Sequence, residues 1–201
     1  KENMKNYQIL WKEKYLSHVK SKGYQNGRAY DHVLPRSLGQ ENFYPPIREE
    51  LFDSTYGYLI QNHIQPHTGI HNLLSSWTVC ANMYWPFNNP EGKKLLADWL
   101  IQVTKLDISE IINIELEYED PKSELSPGKL LGESGQGTRG SGQTSPDLAI
   151  LFKTKSGGDG ILLIESKFTE HSFYVCSGYQ KKSQTANIPN PDKTRCLDPR
   201  S

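Results

Sequence analysis

The stretch SPDLAILFKTKSGGDGILLIESK, running from Ser145 to Lys167, decides how this chain is read. Two short apolar runs, Leu148 to Phe152 and Ile161 to Ile164, flank Lys155-Ser156-Gly157-Gly158-Asp159-Gly160. That insert has the composition of a turn, so the segment predicts an antiparallel hairpin. Pairing Lys153 with Ile161 sets Asp147 opposite Lys167 and Ala149 opposite Glu165; a slip of one or two residues leaves Asp147 beside the same groups. Glu165 and Lys167 stand two apart and project from one face of their strand. Residues 161 to 164 are apolar at both parities, which predicts a strand covered on both faces.

Two carboxylates and one ammonium are therefore expected together at the end of a largely buried strand. Carboxylates in one site repel and shift each other's pKa. A divalent cation relieves that repulsion, and oxygen ligands suit Mg2+, with Mn2+ as a substitute. Such an ion polarises a phosphodiester and lowers the pKa of bound water. Lys167 is then expected to orient that water, stabilise charge on phosphate, or act as base. Asp147, Glu165 and Lys167 are the candidate catalytic residues, and Asp147 and Glu165 the candidate metal ligands.

Upstream of this hairpin the pattern is mostly helical. Tyr7 to Lys20 reads as an amphipathic helix, and Gly23 to Pro35 as a polar loop. A second helix is expected from Pro45-Pro46 towards Asn62, a third over Asn72 to Tyr84 and a fourth over Glu91 to Thr104. The period then changes. Ile112, Ile114, Leu116 and Tyr118 alternate with polar residues, as in a strand covered on one side. Ser126 to Ser145 is a long loop rich in Gly and Ser, and such loops usually carry function. A polar helix is expected near Ser172 to Thr185. The four Trp residues (Trp11, Trp77, Trp85, Trp99) occupy apolar helical positions and are expected in the core.

The remaining composition excludes more than it selects. The 201 residues, 35% apolar and 10% aromatic, suit a single domain over 1–201 with a real core, and the charged tail 187–201 reads as poorly ordered. No run of about 18 apolar residues occurs, so no membrane span is expected. Lys1 to Leu10 lacks the apolar stretch of a signal peptide, and the sequence does not begin with Met. Three scattered cysteines argue against a disulfide framework, and together these features predict a reducing, cytoplasmic setting. Formal charge is zero, but residues 1–120 carry 12 Lys/Arg against 15 Asp/Glu and residues 121–201 carry 11 against 8. That asymmetry permits a local phosphate-binding face.

Ser145-Pro146-Asp147 followed, after the hairpin, by Glu165-Ser166-Lys167 resembles the PD-(D/E)XK signature of restriction-endonuclease-like nucleases. A wider resemblance, to a bacterial family of restriction endonucleases, spans roughly residues 43 to 172. It rests on Pro46-Ile47-Arg48-Glu49-Glu50, Asn72-Leu73-Leu74-Ser75-Ser76, Cys80-Ala81-Asn82 with Pro86-Phe87, Leu131-Gly132-Glu133, Arg139-Gly140, and Leu163 to Glu170. The resemblance implies an α/β fold with a restriction-endonuclease-like αβββαβ core and a mixed central sheet. That core is assigned to residues 91–186, with residues 1–90 as added N-terminal helices. It implies DNA as substrate, a Mg2+-dependent endonuclease activity in restriction or phage defence, and a homodimer as an open option. The chain departs from the pattern at Trp77, where Gln is expected, at Ser166, where Trp is expected, and at Phe168, where Tyr is expected. The middle residue of the signature usually offers its backbone carbonyl, so Ser166 joins the metal ligands. Glu133 is preferred as the third acidic ligand, with Glu117 as the alternative.

Three further features have both a plain and a functional reading. Lys129 and Arg139 in the Gly-rich loop, with Lys181 and Lys182, are candidate phosphate contacts, although exposed lysines are most often solvated surface. His63, His67 and His71 recur every four residues, but Pro66 and Gly69 interrupt any helix that would align them. They stand as the rival metal site of a histidine-metal hydrolase. The departures at Trp77 and Ser166 favour another rival, a nuclease-fold protein that binds nucleic acid without cutting it.

Overall fold

Ordinary end signals set the helix boundaries. In the computed structural model, which describes residues 2–66, 69–120, 126, 139 and 144–168, α1 spans Glu2–Tyr15 and α2 spans Pro45–Phe52. Two prolines open α2, where a missing N–H costs nothing. The expected long second helix is broken at Asp53, whose Oδ1 accepts the backbone N–H groups of Thr55 and Tyr56. A short α3 (Tyr58–Gln61) follows. α4 (Ser76–Tyr84) starts where Ser75 Oγ accepts the Thr78 N–H, and α5 (Pro90–Thr104) where Asn89 Oδ1 accepts the Gly92 N–H.

The strands form two small antiparallel sheets. One is a hairpin of β1 (Gly23–Gln25) and β2 (Arg28–Tyr30), in the segment expected to be a loop. Asn26-Gly27 joins them with both residues at positive φ, 51° and 75°, the two-residue turn whose twist suits paired strands. That dipeptide was the available signal. The other sheet has the order β3-β4-β5, with β3 at Ile108–Leu116, β4 at Leu148–Thr154 and β5 at Asp159–Ile164. The chain is thus mixed α/β. The order α5-β3-β4-β5 supplies an αβββ run, and this sheet is antiparallel among the described residues. The αβ remainder of the expected core, the helix near 172–185 and the tail 187–201 lie outside them.

Two details of the sheet differ from the sequence reading. Lys153 pairs with Asp159 rather than Ile161, a shift of two residues. The turn is shorter than its composition suggested: Gly157 N–H reaches the Thr154 carbonyl at 2.9 Å, and Gly157 sits at φ 86°. This is the three-residue connection ended by a left-handed glycine, and Asp159 and Gly160 already belong to the strand. In β3 the register shifts between Ile108 and Glu110 and again between Ile111 and Asn113. These irregularities change which side chains face inward, so Ile111 is buried and Ile112 is 46% exposed. Downstream of them, Ile114 and Leu116 are buried as the alternation predicted.

The main core runs from Phe43 to Phe152 in sequence and joins α2, α3, α4 and α5 to one face of the sheet. Ile114, Leu116, Leu148 and Ile150 are its fully buried centre. A smaller cluster of Leu16, Val19, Leu34 and Leu73 seats α1. Trp77 and Trp85 are core residues as expected, whereas Trp99 is 49% exposed and Trp11 only half-buried. β5 is covered on one face, not both: Leu162 and Ile164 pack on the core while Ile161 and Leu163 stay exposed. No helix among the described residues is long and apolar enough to cross a membrane.

The register makes a direct prediction. Gly160 faces Phe152, and a Cβ there would lie 2.4 Å from the ring. Gly160→Ala should lower stability by about 1–3 kcal/mol through overpacking. Its neighbour Ile161→Ala, on the open face, should change it by less than about 0.5 kcal/mol. Urea denaturation of both variants checks the pair.

Candidate active site

The ends of the three paired strands bring the sequence-predicted residues together. Asp147 immediately precedes β4, and Glu165-Ser166-Lys167 immediately follows β5. Because Leu148 pairs with Ile164, the corrected register sets Asp147 beside Glu165. The Ser166 backbone N–H donates to Asp147 Oδ2 at 2.7 Å. Lys167 Nζ forms an ion pair with Glu165, with their side chains 32% and 42% exposed. A backbone amide and an ammonium thus compensate the two carboxylates.

The third strand adds a group that the sequence reading ranked second. Glu117 follows the last residue of β3, its N–H donates to the Asp147 carbonyl at 3.1 Å, and it is buried. Its φ of 49° is left-handed, which a non-glycine residue adopts only when its surroundings hold it there. Burial raises its carboxyl from 4.5 to about 7, and the charges of Asp147 and then Glu165 add to the rise. The Trp77 indole N–H lies close enough to favour the ionised form, yet it is buried without a well-aligned hydrogen bond. Trp77, standing where a polar Gln was expected, thus still points a donor at the acidic group. Cys80, one turn further along α4, senses the same three carboxylates. Burial first, and then those charges, push its thiol up to about 12, which leaves it an unreactive packing group.

Arg139 completes the frame from the far side. Its Nε donates to the Glu117 carbonyl at 2.8 Å and its Nη2 to the Leu116 carbonyl at 2.8 Å. The same Nη2 meets Glu115 and the Tyr58 hydroxyl at 3.3 Å. The side chain is 13% exposed, so the guanidinium expected on a DNA phosphate is turned inward onto the end of β3. Sequence reading missed this role because a Gly-rich loop says nothing about where its one Arg docks. Glu133, Lys129, Lys181, Lys182 and His67 lie outside the described residues. His63 follows α3 in a left-handed conformation and His71 is buried further on, so these two do not share a helix.

Among the described residues no group of three or more His, Cys, Asp or Glu converges closely enough to hold a metal ion by itself. Mg2+ takes one or two carboxylates and keeps waters and substrate oxygens for its remaining positions. The donor set is hard oxygen throughout, and the mutual repulsion of Glu117, Asp147 and Glu165 is what a cation would relieve. The residues present fit such an ion.

The Glu117 shift has a definite sign. Its folded pKa lies above the unfolded value, so its contribution to stability is fully present below pH 4.5 and is lost as pH rises to about 7. In EDTA, wild-type stability should therefore fall across that window, by about 3 kcal/mol at most. Glu117→Gln should flatten the fall, as measured by urea midpoints at pH 5 and pH 8. Arg139→Ala should cost roughly 3 kcal/mol at both pH values, because it strips two carbonyls and a carboxylate of a buried donor.

A search of curated proteins finds no match to this chain, and a search of solved structures finds none either. One protein-family model does match, over residues 6–195, which takes in most of α1, the strand-end carboxylates and nearly all of the sequence. The chain therefore belongs to the REase-ARP family, described as Restriction Endonuclease associating with ARP.

Proposed function

We propose that the protein is a metal-dependent DNA endonuclease with Asp147, Glu165 and Lys167 as its catalytic residues. The observation that carries this reading is the hydrogen bond from Ser166 N–H to Asp147, which locks the acidic residue ahead of β4 to the Glu-x-Lys segment after β5. The family description, a restriction endonuclease, supports the same class of reaction. Asp147 and Glu165, with the Ser166 carbonyl, would hold Mg2+ or Mn2+. Glu117, which is coupled to both ligands, joins this proposal as a further acidic group, while Glu133 lies outside the described residues.

When bound, the cation supplies positive charge at the scissile phosphate. The rest falls to the chain's own groups. Ser166 N–H holds the Asp147 carboxylate at a fixed angle, so the ligand does not have to be ordered when substrate arrives. Lys167 sits on Glu165 in the absence of substrate; a phosphate oxygen competes for the same ammonium. Released to the phosphate, Lys167 stabilises charge that develops as water attacks phosphorus in line with the departing sugar oxygen. Glu117, whose carboxyl burial raises, would accept the proton that the water gives up.

The test is cleavage of plasmid and single-stranded DNA with Mg2+, Mn2+ or EDTA. Lys167→Ala and Asp147→Ala should each lower the cleavage rate by roughly 10²–10⁴-fold without altering the far-UV circular dichroism. Wild-type protein that binds Mn2+ through these residues and yet leaves both DNAs intact would instead favour a binding protein that has lost cleavage.

A further inference from the structure

Arg139 is held at both of its ends. Its carbonyl accepts the Gln65 N–H at 3.0 Å, in the segment after α3. Its guanidinium reaches the end of β3, with Nε on the Glu117 carbonyl and Nη2 on the Leu116 carbonyl, each at 2.8 Å. The same Nη2 lies 3.3 Å from Glu115 Oε2 and from the Tyr58 hydroxyl. That hydroxyl accepts the Leu116 N–H, also at 3.3 Å. Both polar groups of the Leu116 backbone are therefore engaged by this one unit.

Two successive carbonyls on one guanidinium are not a property of a regular strand. In a ladder, successive carbonyls leave the strand on opposite edges, where a single fork cannot take both. The left-handed φ of 49° at Glu117 supplies the bend that brings them together. A residue other than glycine rarely adopts that φ, and Glu has no short side chain to favour it. The fork favours it, because only the bent backbone satisfies both N–H groups. A return of φ to the strand range would turn the Glu117 side chain by about half a circle around its N–Cα bond. The carboxyl would then leave the buried position, 6% exposed, in which it senses Asp147 and Glu165. Charge is the lesser part of what Arg139 does: its pull on the Glu117 carboxyl ranks after burial, Asp147, Glu165 and Trp77.

We infer that Arg139 is the positioning residue of the acidic cluster: by binding two successive carbonyls it fixes the turn at Glu117, and so sets where that carboxyl stands relative to Asp147 and Glu165. This gives the inward-turned guanidinium a task in place of the phosphate contact expected of it. The bearing of that task on a cation rests on the metal-dependent reading proposed above; the turn itself does not. A Glu117 carboxyl held beside the two ligands adds negative charge to the site. Supporting residues of this kind change metal affinity by roughly 10–100-fold.

Two measurements on the full chain test this. The first is the Cα and Cβ chemical shifts of Glu117 without metal. In the wild type they should be those of a left-handed residue. In Arg139→Ala they should move to those of an extended residue, while the shifts of β4 stay in place. Arg139→Lys offers a point charge instead of a fork and should show the same movement, which decides the matter if the alanine variant does not fold. The second is Mn2+ affinity without DNA. Arg139→Lys and Glu117→Gln should each weaken it roughly tenfold. Arg139→Lys should add nothing further in the Glu117→Gln background, because both act through one carboxyl. An Arg139 that only stabilises the fold would lower affinity equally in both backgrounds. That result, or Glu117 shifts that stay unchanged in both Arg139 variants, would overturn the inference. A wild type that takes up no Mn2+ sinks the metal reading alone, and the Glu117 shifts then decide for or against Arg139.

Discussion

The structure turns on the crowding of negative charge at one end of a three-stranded sheet. Glu117, Asp147 and Glu165 arrive there on three successive strand ends, and such a cluster persists only where neighbouring donors offset it. Ser166 N–H serves Asp147, the Lys167 ammonium serves Glu165, and Arg139 secures the backbone that presents Glu117. Burial first, and then the charges of Asp147 and Glu165, raise the Glu117 pKa. The fold sustains this because Ile114, Leu116, Leu148 and Ile150, directly behind the cluster, are fully buried and hold the strands in a single register.

The helical part is more than a cover for that sheet. α4 brings Trp77 and Cys80 within electrostatic reach of the carboxylates, and Glu117 is itself buried. α3 contributes Tyr58, whose hydroxyl accepts from the Leu116 N–H and meets Arg139. The end of β3, the start of α3 and the residue-139 turn are therefore one hydrogen-bonded unit. Buried networks of this kind are sensitive to the loss of any member, since each lost partner leaves another polar group stranded.

Legibility differed from residue to residue for physical reasons. The pairing of Asp147 with the Glu-x-Lys segment was readable because strand period and turn composition are local properties, and an error of two residues in register preserves which face each side chain takes. Asn26-Gly27 was equally local and went unread as a hairpin. Glu117 was harder, because its left-handed backbone just past the end of β3 departs from the strand alternation by which its place had been judged. The inward turn of Arg139 was not readable at all. A guanidinium 22 residues from Glu117 in sequence finds its carbonyl partners only once β3 and the loop are folded.

By itself, then, the sequence determined the local chemistry: where the β4–β5 hairpin and the helix around residues 91–104 lie, which three residues flank the hairpin, and that hard oxygen donors with an amine would meet there. These follow from spacing along the chain. Tertiary structure decided the rest: that Glu117 joins them, that Arg139 braces the frame, and that Trp77 backs the acidic group. Each depends on which distant segments pack together, and packing is decided by the whole core at once rather than by any local pattern.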